Sequence, residues 1–169
     1  RSAVSASVSE QLTGSDTRRR AAVLGAGSWG TTLAVHLARI GHETQLWGRD
    51  PSLVADLHAR RANAVYLPDI SFPERLQVTA DLEHALDGAT IVVAAVPSHG
   101  VREILRNAAP FIGRGATIVS ATKGLEQDTL FRGSEIIEQE LGLGVPSAVL
   151  SGPSFAAEVA RGHQQVVGT

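Results

Sequence analysis

The strongest constraint on this chain is a glycine hexapeptide, Gly25-Ala26-Gly27-Ser28-Trp29-Gly30, set between two segments of different hydrophobic period. Before it, Ala21 to Gly25 (AAVLG) is an unbroken apolar run closed by glycine, the pattern of a strand buried on both faces. After it, Ser28 to Ile40 places Trp29, Leu33, Leu37 and Ile40 on one helical face, and Gly41 is a good stop. A GxGxxG hexapeptide alone arises by chance in glycine-rich chains. Between a strand and a helix it predicts a dinucleotide-binding turn. Gly25 would permit the tight turn, Gly27 would let a pyrophosphate reach the backbone, and Gly30 would let helix and strand pack closely. The helix N-terminus adds free N–H groups and a partial positive charge. The competing reading is a tight strand–helix turn without a ligand.

The alternation continues. Thr44 to Trp47 reads as a second strand, and Asp50-Pro51 caps a helix through about Arg61. A short helix at Asp81 to Leu86 precedes the buried strand Thr90 to Val96 (TIVVAAV), and His99 to Ala108 is helical. Ala116 to Thr122 and Ser147 to Leu150 are further strands around a helix from Leu130 to Leu141, with a helix at Ser154 to Arg161 and a strand beginning at Gln165. Apolar strands separated by amphipathic helices predict an α/β fold, a doubly wound, mostly parallel, Rossmann-like sheet. Residues 1–20, rich in Ser, Ala and Thr, carry no apolar period and are expected to be a flexible tail or targeting remnant, leaving residues 21–169 as the dinucleotide-binding domain.

Composition narrows the function classes. A net charge of -2 gives no basic field for nucleic acid, and no apolar run is long enough for a membrane span. Zero cysteines exclude disulfides, zinc–thiolate sites and thiol catalysis, and the six histidines show no metal-ligand spacing. Methionine is absent even at position 1, so a piece of a longer product is expected.

Coenzyme choice rests on the end of the second strand, where an acid suits the ribose 2′-hydroxyl of NAD and an arginine the 2′-phosphate of NADP. Gly48-Arg49-Asp50 offers both. Asp50 is explained as a helix N-cap and Arg49 is not, so NADP is favoured with NAD also usable. Pro97 and Ser98 close the Val96 strand and are expected to wall the nicotinamide ribose; His99 stands beside them. Lys123 follows a predicted strand, where an ammonium could pair with a substrate phosphate or polarise a carbonyl. Gly152-Pro153-Ser154 also follows a strand and opens a helix, which suits an oxyanion. Without further support, both are equally a surface lysine and a capped helix start.

The segments GAGSWGTTLA, LWGRD, NAVYLP, AVPSH, SATKGLE and SGPSFAAEVA, in this order, resemble the NAD(P)-dependent glycerol-3-phosphate dehydrogenases of bacterial and plastid type, from Ala21 to about Gly162. The resemblance implies reduction of dihydroxyacetone phosphate to sn-glycerol 3-phosphate, the backbone of membrane phospholipids. It implies Ser28 and Trp29 along the pyrophosphate and adenosine side of the cofactor, Arg49 at the adenosine phosphate and Tyr66 as a neighbour. It also implies Lys123 at both cofactor and substrate, Gly152 and Ser154 at the substrate, and Ala156 at the nicotinamide end. The family's presumed proton donor, a second lysine, lies in a helical domain whose counterpart would fall beyond Thr169, so this chain alone is expected to be inactive. His163-Gln164-Gln165 departs from the Pro-Thr that usually follows Gly162 in the family. A cytoplasmic or plastid setting and a homodimer are compatible with the family. The other readings are a related hydroxyacid or ketopantoate-type dehydrogenase and a non-catalytic dinucleotide-binding redox module.

Overall fold

The computed structural model describes residues 18–150 together with Val159 and Arg161. The chain opens with β1 (Arg20–Leu24), α1 (Ser28–Arg39), β2 (Glu43–Trp47) and α2 (Pro51–Arg60). A small hairpin, β3 (Ala62–Asn63) with β4 (Leu67–Ser71), leads into β5 (Leu76–Thr79) and α3 (Leu82–Leu86). The second half runs β6 (Ile91–Ala94), α4 (Val101–Ala108), β7 (Thr117–Ser120), α5 (Gly133–Leu141) and β8 (Ser147–Val149).

Six strands form one sheet in the order β5-β2-β1-β6-β7-β8, and every neighbouring pair is parallel. The chain builds outward from β1 through β2 to β5, then crosses back to β6 and builds the other way. The winding therefore reverses between β1 and β6, the point at which doubly wound sheets open a crevice at the carboxyl ends of their strands.

The strands are apolar throughout because each face meets helices. Ala22, Leu24, Val92, Ala94 and Ile118 pack with Leu86, Ile104, Leu105, Ile136 and Ile137 from α3, α4 and α5. Val23, Leu46 and Val93 turn the other way, onto Val35 and Ala38 of α1 and Val54 and Leu57 of α2. The expected α/β class holds, with two differences of detail. The hairpin and β5 are absent from the sequence reading, because β3 is two residues long, β4 carries Pro68, and β5 is a four-residue edge strand with only Leu76 and Val78 buried. The helix expected from Leu130 begins at Gly133, since Leu130 adopts a left-handed φ of 59° that no helix tolerates. The expected helix from Ser154 and strand from Gln165 lie outside the described residues, Val159 and Arg161 apart.

Gly30 is the tightest packing point of the fold: a Cβ there would lie 1.8 Å from the Gly25 carbonyl oxygen. Gly30→Ala should lower unfolding free energy by about 1–3 kcal/mol or more in urea titrations, the range for an overpacked interior. An unchanged midpoint would contradict the helix–strand contact.

Candidate functional site

At the reversal between β1 and β6 lies a crevice of about 520 Å³, lined by the glycine loop, the Gly48–Asp50 turn, Tyr66, Ala95–Pro97 and His99. The three loop glycines have separate reasons to be there. Gly25 turns at a φ of 124° with room for no Cβ, which would sit 2.5 Å from the Ala95 carbonyl oxygen. Gly30 is fixed by crowding from the same turn. At Gly27 φ is −76° and a Cβ would meet nothing within 4 Å, so neither crowding nor backbone geometry requires glycine. What remains is close approach by something from outside. The helix behind the loop is prepared for an anion in a way its neighbours are not. Asp50 caps α2 through Ser52 N–H at 2.9 Å, and Asp81 caps α3 through His84 N–H at 3.1 Å. No side chain caps α1, and its first turn holds no acid. These residues fit a dinucleotide pyrophosphate.

The Asp50 cap matches its expected role. Arg49 is exposed at the crevice and forms an ion pair of 3.7 Å with Glu103, an exposed contact of little energy that leaves the guanidinium available. Tyr66 reaches the crevice on the hairpin, which is tied to the glycine loop by Asn63. That fully buried amide donates to the Ala26 carbonyl at 3.1 Å and to Thr31 Oγ1 at 2.8 Å, and it accepts from Tyr66 N–H at 3.1 Å. Asn63 was not among the expected site residues; its position just before Tyr66 in NAVYLP was the available signal.

A second cavity, also about 520 Å³, opens beyond the carboxyl ends of β7 and β8 and holds Lys123. Trp29 lies here, not with Arg49. Its indole donates to the Ala121 carbonyl at 3.0 Å, and the Lys123 ammonium stands 5.3 Å from its ring centroid, a cation–π distance. Thr122 Oγ1 donates to the Val96 carbonyl at 3.0 Å, linking the Lys123 strand end to the wall of the first crevice. The structure thus divides the expected residues. Gly25, Gly27, Arg49, Tyr66 and Pro97 line one cavity, Trp29 and Lys123 the other, and Ser28 opens the helix next to them. Gly152, Ser154 and Ala156 lie outside the described residues. Among the described residues no cluster of metal-ligating side chains occurs, and no helix is long and apolar enough to cross a membrane.

Residues 20–167 match the model of the family described as NAD-dependent glycerol-3-phosphate dehydrogenase N-terminus. The chain belongs to this family. It is 50% identical over 141 residues to the glycerol-3-phosphate dehydrogenase [NAD(P)+] of Thioalkalivibrio sulfidiphilus, with 83% of this chain and 42% of that protein covered. The corresponding protein of Pseudoalteromonas translucida is 51% identical over 145 residues, with 86% and 43% covered. The crystal structure of glycerol-3-phosphate dehydrogenase from Coxiella burnetii superposes with a TM-score of 0.80 at 41% identity, covering 85% of this chain and 44% of that one. The chain spans less than half the length of the relatives it matches.

Within this member of the glycerol-3-phosphate dehydrogenase family, the loop after Lys123 is held by a charge network. Arg102 of α4 grips Glu126 with two parallel bonds, Nε to Oε1 at 2.9 Å and Nη2 to Oε2 at 2.8 Å. Its remaining nitrogen reaches Glu140 at 2.7 Å, which Arg106 also holds. The Arg102 guanidinium and then the Thr129 hydroxyl bring the Glu126 carboxyl down to about 2. Glu140 is likewise lowered, first by Arg106 and then by Arg102. A carboxyl whose folded value is depressed stabilises above its ordinary value of 4.5, and that contribution is lost as pH falls toward 2. Glu126→Gln should therefore flatten the loss of stability between pH 4.5 and 2, read by urea midpoints across that window. An acid limb identical to that of the parent would contradict the network.

Proposed function

We propose that this chain provides the coenzyme half of an enzyme that reduces dihydroxyacetone phosphate to sn-glycerol 3-phosphate, supplying the backbone of phospholipids, with NADPH preferred over NADH. The observation that carries the reading is the placement of Lys123 at a strand's carboxyl end, joined through Thr122 and Trp29 to a glycine loop that fits a dinucleotide. Family membership supports the substrate.

Each residue has a physical task in this reading. The uncapped first turn of α1 receives the pyrophosphate, and Gly27 leaves room for it. Arg49 pairs with the 2′-phosphate, exchanging its weak contact with Glu103 for a charge-assisted one. Pro97 walls the ribose side with His99 beside it, while Ser98, expected there with Pro97, does not line the crevice. When bound, the coenzyme would supply a hydride to the carbonyl carbon. Lys123 stabilises the negative charge that would then grow on the carbonyl oxygen, Trp29 orients its ammonium, and the proton that completes the alcohol would come from the family's second lysine. Gly152 and Ser154 hold the substrate, and Ala156 meets the nicotinamide end. Lys123 is also the only lysine among the fifteen Lys and Arg residues of the chain, a signal the motif reading did not use. Where every other cation is arginine, the one ammonium stands where a compact, rotatable point charge suits an oxyanion. A phosphorylated small molecule is the partner, in a cytoplasmic or plastid setting, and the homodimer compatible with the family would belong to the full-length enzyme.

Two variants test this in the protein that carries the chain. Arg49→Ala should weaken NADPH binding roughly ten-fold or more while sparing NADH, since a charge-assisted bond contributes about 1.5–3 kcal/mol. Equal loss for both coenzymes removes Arg49 from this role. Lys123→Ala should retain coenzyme binding by nicotinamide fluorescence and lose about 10²–10³-fold in turnover, the range for one oxyanion donor. Near-normal turnover returns Lys123 to a surface lysine and leaves a dinucleotide-binding module.

A further inference from the structure

The loop from Lys123 to Phe131 is fixed at two places, and only one of them belongs to the site already described. Upstream, Trp29 and Thr122 hold the end of β7 through the bonds given above. Downstream, everything converges on Glu126. Its N–H donates to the Phe131 carbonyl at 3.0 Å, and its own carbonyl accepts from Leu130 N–H at 2.9 Å. Its carboxylate takes the Thr129 hydroxyl as well as the Arg102 fork, and the Thr129 oxygen in turn accepts from Phe131 N–H at 3.2 Å. The side chain of Glu126 is only 10% exposed, although its neighbours Leu125 and Gln127 face solvent.

Only Gly124 and Leu125 separate this anchor from Lys123. Gly124 bends the chain at a φ of 88°, a left-handed conformation that glycine supplies without strain. A loop that tight transmits the position of one end to the other. We infer that Glu126, clamped by Arg102, is a positioning residue that sets where the Lys123 ammonium stands over Trp29. The inference rests on the reading of Lys123 as the substrate lysine only for its catalytic consequence. The bidentate fork matters because it fixes orientation as well as distance, which a single contact does not. Glu140 secures the far side of Arg102, so the clamp joins the loop to both α4 and α5.

The single lysine makes the test direct. Reductive methylation with ¹³C-formaldehyde labels Lys123 and the N-terminal amine alone, and Lys123→Arg assigns the two resonances by removing one of them. In the parent chain the dimethyl-lysine resonance should show the upfield shift of a group over an indole ring, and Trp29→Phe should reduce it. Glu126→Gln, which keeps shape but loses the charge, and Arg102→Met, which removes the fork from the other side, should each move the resonance toward the value of a free lysine. Circular dichroism confirms that each variant is folded. A parent-like resonance in either folded variant overturns the inference. In the intact enzyme, Glu126→Gln should cut kcat by up to about 10²-fold, the scale for a misplaced group, with the NADPH dissociation constant unmoved. An unchanged kcat beside a shifted resonance removes the catalytic consequence. A parent enzyme that does not reduce dihydroxyacetone phosphate overturns the functional reading instead, and the resonance decides the positioning claim by itself.

Discussion

The close seating of α1 against the carboxyl ends of the central strands β1 and β6 governs the geometry of the site. A Cβ at Gly30 would stand 1.8 Å from the Gly25 carbonyl, and one at Gly25 would stand 2.5 Å from the Ala95 carbonyl. These contacts leave backbone against backbone where side chains would otherwise intervene. The N-terminus of α1 is thereby brought to the point where the winding of the sheet reverses. Gly27 is then the one loop glycine whose surroundings are open; no side chain caps the N–H groups behind it, and no acid stands in that first turn, as Glu103 does in the likewise uncapped α4. Asn63 adds a lateral brace, binding the loop carbonyl of Ala26 to the hairpin that carries Tyr66.

Electrostatics divides the same region into two tasks. Arg49 makes a long, exposed contact with Glu103, and its loss to a competing phosphate costs little. Arg102 does the opposite. It is engaged by Glu126 and Glu140, whose side chains are 10% and 9% exposed, and removing one partner of such a set leaves charge stranded in a poorly solvated place. One arginine is held loosely at a crevice and the other tightly under a loop, so the first suits exchange with a ligand and the second suits fixation. Lys123 sits between them in kind, exposed yet drawn to the face of Trp29.

Much of this was legible in the sequence because it was carried by local pattern. The change from an apolar run to a helical period located β1, the glycine loop and α1, and Asp50-Pro51 announced the cap of α2. What escaped depends on partners distant in sequence. Asn63 reads as a loop asparagine until the glycine loop, 37 residues earlier, closes over it. Glu126 reads as a solvated acid until Arg102, 24 residues earlier, reaches it from α4. Trp29 shows the limit in another way. The family resemblance sets it along the cofactor, and what no local pattern could add is that its indole, from the second position of α1, reaches the carbonyl of Ala121 and lines the lysine cavity. Leu130 gave no warning of a left-handed backbone, since nothing in its type favours one.

In the reading proposed above, the uncapped start of α1 and its glycine loop receive a dinucleotide phosphate. Amide ¹⁵N–¹H spectra recorded during titration of the chain with NADPH test it most directly, because they report each N–H separately. Saturable shifts are expected to be largest at Gly27, Ser28 and Trp29, with Arg49 and His99 following at the same half-saturation. A folded chain whose loop amides stay still, or whose saturable shifts gather at the amino ends of the strands around Arg20 and Glu43, would contradict it.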